Sequence, residues 1–201
     1  MPFILASGSP RRQELLQQVI PEFKIHVSDI TEQRNLALPS LGEQIADLAY
    51  QKAAAVASHY AGQSDVWILG SDTMVCRDQD ALGKPKDPED AVQMLTSLSN
   101  RSHEVMTGLA LIRCTETPEV HLAHGVSQVH MRPISAQEIK DYVASGDPMD
   151  KAGSYAIQGE AGAFITHIEG EYENIVGLPL QTLRELLQQA HYPDTVIPAR
   201  V

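Results

Sequence analysis

The sequence is poor in cysteine, in positive charge and in long apolar runs, and each shortage removes a class of protein. Only Cys76 and Cys114 occur, far apart and with no His or Cys at ligand spacing beside them. Neither a disulfide framework nor a zinc site is suggested, and both thiols should stay reduced. Fifteen Lys and Arg stand against 26 Asp and Glu, a net charge of −11. That balance argues against a general nucleic-acid or anionic-membrane surface, so any phosphate binding must be local. The run Phe3 to Ala6 is too short for the apolar region of a signal peptide, and no later segment could span a bilayer, so a cytoplasmic address is expected. Repeats, low-complexity tracts and linker-like stretches are also missing. With 43% hydrophobic residues, positions 1–201 read as one domain able to bury a sizeable core.

Familiar catalytic spacings are missing as well. The eight histidines form no HExxH or HxH pattern, Ser7 has no neighbouring base or G-x-S-x-G context, and no Walker phosphate loop occurs. Metalloprotease and serine-hydrolase readings are therefore poor.

What is present is alternation. Apolar runs at Phe3 to Ala6, Phe23 to Val27 and Val66 to Cys76 predict strands. Ser9 and Pro10 mark the start of a helix carrying Leu15, Leu16, Val19 and Ile20 to the break at Pro21. Ser40 and Glu43 form a capping box ahead of a helix with Ile45, Leu48, Ala49, Ala53 and Val56 on one stripe. Asp87 and Pro88 open a further helix burying Ala91, Met94, Leu95 and Leu98. Residues 103–114 and 120–131 predict an antiparallel pair of long strands, Ser135 and Glu138 repeat the capping box, and 164–168 reads as a weaker strand. Pro179 leads into a last helix with Leu183, Leu186 and Leu187 inside, and the tail from Tyr192 is expected to be loosely held. Together these predict an α/β fold: a mixed twisted sheet flanked by helices, in two lobes with a deep cleft.

Several side chains sit against this pattern. Arg11 and Arg12 stand at a helix start, where exposed N–H groups and the macrodipole disfavour cations by about 0.3–1 kcal/mol each. They are either surface cations that snorkel or, with the Ser7–Gly8–Ser9 turn, part of an anion site. Lys52 lies within the apolar stripe of its helix, where it either snorkels to water or serves a site. Asp72 occupies a strand with apolar residues on both faces, so its carboxylate needs a metal, a cation or strong donors to offset desolvation. Gly70 beside it would admit a ligand or another backbone. Lys84 and Lys86 flank Pro85 on a loop that follows. Cations near a helix start and a strand-borne carboxylate fit phosphoryl chemistry on a multiply charged small ligand.

The motifs LASGSPRR (5–12), ITEQR (30–34), Lys52, LGSDT (69–73), GKPKD (83–87), DKAGSYAIQG (150–159) and VGLP (176–179) resemble, in order, the Maf nucleoside triphosphate pyrophosphatases. The resemblance implies an ITPase-like α/β fold, often dimeric, that cleaves nucleotides between the α and β phosphates. It implies Asp72 as the catalytic proton acceptor and Ser7, Arg12, Glu32, Lys52, Lys84 and Gln158 as cleft residues. Arg11, Thr73 and Gln158 match the branch acting on dTTP and UTP, which the resemblance implies also accepts some modified pyrimidine nucleotides. The expected arrangement has Arg11 or Arg12, Lys52 and Lys84 gripping the triphosphate and Asp72 with Glu32 holding Mg²⁺ or Mn²⁺, Asp72 acting as base or only as metal ligand. The Gln158 amide is the candidate reader of the base. A non-catalytic nucleotide-binding regulator of cell division and a purine-selective, ITP-type pyrophosphatase stand as alternatives. Ser71, where many relatives have Ala, is the departure from the pattern.

Overall fold

The computed structural model describes residues 1–78 and 80–193. Three buried apolar residues form β1 (Phe3–Leu5). Helix α1 (Pro10–Gln17) begins as expected, with the Ser9 hydroxyl accepting from the Arg12 N–H. It stops short of Pro21. A tight closing turn, in which the Val19 N–H bonds to the Leu16 carbonyl, still buries Val19 and Ile20. β2 shrinks to Lys24–Ile25, both exposed at the sheet edge. The alternation over 23–27 therefore overstated the strand.

Helix α2 (Leu41–Ala57) carries the predicted capping box, Ser40 accepting from the Glu43 N–H and the Glu43 carboxylate from the Ser40 N–H. It buries the expected stripe. β3 (Val66–Arg77) follows, then β4 (Asp80–Leu82) and α3 (Pro88–Leu98). Ala91, Leu95 and Leu98 are buried, while Met94 is half-exposed rather than buried. β5 (Ser102–Cys114) and β6 (Glu119–Met131) are sheet neighbours joined by residues 115–118. So short a connection makes them an antiparallel hairpin. α4 (Ala136–Ala144) has its capping box, and β7 (Ile165–Glu169), α5 (Tyr172–Val176) and α6 (Leu180–Gln189) complete the described chain.

The seven-stranded sheet runs β2-β1-β3-β5-β6-β7, with β4 attached to β3. It is mixed, as predicted: β1 is parallel to β2 and β3, whereas β4 is antiparallel to β3 and β7 to β6. β4 and α5 escaped the sequence reading because three to five residues show no period.

Two compact units share this chain. The first comprises Met1–Asp72, Thr107–Gly125 and the chain from Gly177, and the second comprises Thr73–Met106 and Val126–Val176. Ile4, Ala49, Ala53, Ile68 and Ile112 centre the core of the first. Tyr192 lies in the same unit but packs against other residues, 7% exposed and edge-on to Phe3 and Trp67 at 5.5 and 5.1 Å. The tail is thus held at Tyr192, contrary to the expectation, and positions 194–201 lie outside the described residues. Val75, Leu95, Val105, Val129 and Phe164 centre the second.

That second core holds a buried titratable pair. His103 Nε2 shares a 2.6 Å hydrogen bond with the Tyr155 hydroxyl, and Nδ1 is buried with no partner among the described residues. Burial, with help from nearby His130, pulls the His103 pKa from 6.5 to about 4. The unfolded chain therefore takes up a proton near pH 6.5 that the native protein refuses until about pH 4. Stability is full above pH 6.5 and falls as pH drops through this window, by about 3 kcal/mol at its lower end. Urea midpoints at pH 7 and pH 4.5 should show a larger acid loss for wild type than for His103→Gln.

Candidate functional site

In β3 residues 66–71 and 74–76 are buried, but Asp72 and Thr73 are only half-buried. The strand that looked sealed opens at the carboxylate, whose side chain is 17% exposed. Its partner comes from α2. Lys52, 9% exposed, does not snorkel: its ammonium lies 2.5 Å from Asp72 Oδ1 and 3.0 Å from Glu32 Oε1. The lysine misplaced in an apolar stripe and the aspartate misplaced in an apolar strand answer each other.

Glu32 reaches them from the segment between β2 and α2. Gln51, next to Lys52, clamps that segment: its amide oxygen accepts from the Gln33 N–H at 3.3 Å, and its Nε2 donates to the Gln33 carbonyl at 2.8 Å. Sequence reasoning missed Gln51, for which adjacency to Lys52 was the only signal.

Arg12 joins the same unit by a different route. Its Nε donates to the Gly177 carbonyl at 2.9 Å and its Nη1 to Ser7 Oγ at 3.3 Å, and Ser7 also accepts from the Ser9 N–H. Burial lowers the Arg12 pKa, while the Asp72 and Glu32 carboxylates raise it and Arg11 lowers it. The guanidinium thus senses both acids. Arg11 is exposed, so the two arginines, equal on paper, differ in the fold. The Gly177 carbonyl also accepts from Ser71 Oγ at 3.1 Å, which gives the departure at Ser71 a structural job. Gly177 holds φ +127°, a backbone that L side chains rarely adopt, so VGLP needs its glycine to aim that oxygen.

Thr73, Lys84 and Gln158 belong to the second unit. Lys84 and Gln158 are exposed, and the two motifs that carry them are joined by a 3.0 Å bond from the Gly153 N–H to the Gly83 carbonyl. Lys151 braces the same motif, donating to Asp147 Oδ1 at 3.1 Å and Asp150 Oδ1 at 2.8 Å, while the Tyr142 hydroxyl donates to Asp147 Oδ2 at 2.7 Å. The Lys151 hydrogen bond chiefly, and Lys84 more weakly, hold the Asp150 carboxyl below its ordinary range. The sequence reading did not single out Tyr142, Asp147 or Lys151. Ser7, Arg12, Glu32, Lys52 and Asp72 are gathered in the first unit.

The donor set suits a hard divalent cation only in part. Asp72 and Glu32 already converge on one positive centre, the Lys52 ammonium. Among the described residues no group of three or more His, Cys, Asp or Glu could hold a metal. Mg²⁺ is commonly bound by one or two carboxylates with substrate phosphates and water completing its shell, and two carboxylates fit that pattern. Among the described residues no helix is long and apolar enough to cross a membrane.

Residues 2–190 match the family profile described as Maf-like protein. The chain is 47% identical over 190 residues to a dTTP/UTP pyrophosphatase of Symbiobacterium thermophilum, covering 94% of each. It is 44% identical over 187 residues to a dTTP/UTP pyrophosphatase of Desulforamulus reducens, covering 93% of this chain and 95% of that one. The solved structure of a HAM1 protein from Coxiella burnetii aligns with a TM-score of 0.47 at 15% identity, over 94% of this chain and 99% of that one. That likeness is too loose to bear on function.

Proposed function

The chain belongs to the Maf family, and from that premise we propose that it hydrolyses dTTP and UTP to the monophosphate and pyrophosphate. The observation that carries the reading is the ion cluster of the first unit, in which Arg12, Lys52, Asp72 and Glu32 interact. Cations fixed beside a partly exposed carboxylate are what hydrolysis of a polyanion needs.

Ser7, Arg12 and Lys52 bind phosphate oxygens, with Arg11 and Lys84 adding charge from exposed positions. Asp72 takes the proton of the attacking water. The water oxygen bonds to the α-phosphorus, the bond from that phosphorus to the bridging oxygen breaks, and pyrophosphate leaves with the bridging electrons. Mg²⁺ or Mn²⁺, held by Asp72 and Glu32, would supply charge neutralisation on the phosphate oxygens. Arg12 keeps its fork fixed throughout through Gly177 and Ser7.

Base choice falls to Gln158, because every nucleotide shares the phosphates. Gln158 offers one donor and one acceptor group, the complement of a carbonyl and an N–H of uracil or thymine. Thr73 and Arg11 are assigned to substrate on the motif match. The family resemblance supports a homodimer, and the nucleotide substrates support work in the cytoplasm.

The test is a panel of dTTP, UTP, CTP, ATP, GTP and ITP with Mg²⁺ or Mn²⁺, scored for monophosphate and pyrophosphate. Product from dTTP and UTP is expected. Stoichiometric binding without product, or turnover confined to ITP, would overturn the reading. Gln158→Glu should depress UTP hydrolysis more than hydrolysis of purine nucleotides, and equal losses on all bases would refute the role of Gln158.

A further inference from the structure

Lys52 presents a conflict that the proposed function leaves open. Its ammonium contacts Asp72 Oδ1 and Glu32 Oε1, on the two carboxylates assigned above to a divalent cation. A lysine and a metal ion cannot both be neutralised by the same two carboxylates without repelling each other, and in this half-buried setting, water screens that repulsion only in part. The stem of Lys52 lies along the buried stripe of α2, so only its end is free to change partners.

We propose that Lys52 is a resident counter-ion, which keeps divalent metal out of the free protein and gives up the two carboxylates when a triphosphate arrives. The proposal rests on the metal reading of Asp72 and Glu32 given above. Phosphate oxygens offer the ammonium at the free end of that stem a replacement partner of higher charge. The carboxylates vacated in this way then become available to the metal that accompanies the nucleotide. Metal therefore enters with the nucleotide and not before it. In the free protein, the lysine also spares Asp72 and Glu32 their mutual repulsion.

The experiment measures Mn²⁺ alone binding to the free protein, by electron paramagnetic resonance and by calorimetry. Lys52→Met keeps the stem and removes the charge, and it should bind Mn²⁺ at least about tenfold more tightly than wild type. Lys52→Met/Asp72→Asn should lose that gain. If Lys52→Met binds Mn²⁺ no better while wild type still needs metal for dTTP turnover, the counter-ion role is overturned and the metal reading survives. If the double variant keeps the gain, the ion sits elsewhere and both fail.

A measurement on wild type needs no variant to fold well. The Lys52 ¹³Cε resonance, identified by its disappearance in Lys52→Arg, should stay in place with Mg²⁺ alone. It should move when a dTTP analogue with a methylene bridge between its α and β phosphates is added with Mg²⁺. Movement with Mg²⁺ alone would sink the proposal.

Discussion

Asp72→Asn should leave a folded protein whose dTTP turnover is lower by about 10²- to 10⁴-fold, the range that a positioned acid or base contributes. The substitution is isosteric, and it sits where β3 is half-buried rather than sealed, so no cavity forms. The lysine opposite is not stranded either, because Glu32 remains 3.0 Å from its ammonium. The melting temperature should therefore stay within a few degrees of wild type. A loss confined to kcat, with nucleotide affinity little changed, assigns Asp72 to the chemical step. A large rise in the metal concentration needed for half-maximal rate assigns it to the metal instead. An undiminished rate excludes both roles. Glu32→Gln is the natural companion: its side chain is 44% exposed and it lies outside the sheet, so its effect should fall mainly on the metal requirement.

The legible parts of this site are those where one residue contradicts its own element. A lysine in an apolar stripe and an aspartate in an apolar strand were visible as conflicts, and functional sites are where such conflicts gather. That Lys52 answers Asp72 was not visible, since no local period links positions on a helix and a strand. The contrast between Arg11 and Arg12 was hidden for a similar reason. It depends on a carbonyl 165 residues further along the chain, at Gly177. The mixed sheet and the capped helices followed from periodicity and caps, which are local. β4 and α5 did not, and β2 is shorter than its alternation implied, because pairing and packing decide elements of two to five residues. Gly70 was half-legible: its lack of a side chain announced a close approach, and the fold supplies the visitor.

That visitor is helix α2, and it makes Gly70→Ala the most damaging small substitution to be expected here. A Cβ at position 70 would stand 2.1 Å from the Ala49 carbonyl oxygen, and one at position 108 would stand 2.2 Å from the Ile45 carbonyl oxygen. β3 and β5 are neighbours in the sheet, so two adjacent strands offer bare backbone to successive turns of one helix. The obstructing atoms are main-chain atoms, which cannot rotate away as a side-chain end would. The helix must lift, and relief of such overpacking costs about 1–3 kcal/mol or more. Lys52 lies one turn beyond Ala49, so a lifted helix draws the ammonium off Asp72. Gly70→Ala and Gly108→Ala should each lower the urea midpoint by an amount equivalent to about 3 kcal/mol and reduce dTTP turnover with it. Gly83→Ala is the control: no atom of the described residues lies within 4 Å of its added Cβ, and its stability change should stay within about 0.5 kcal/mol. If Gly70→Ala unfolds at the wild-type midpoint, the close seating of α2 on the sheet is wrong, and with it the contact that brings Lys52 to Asp72.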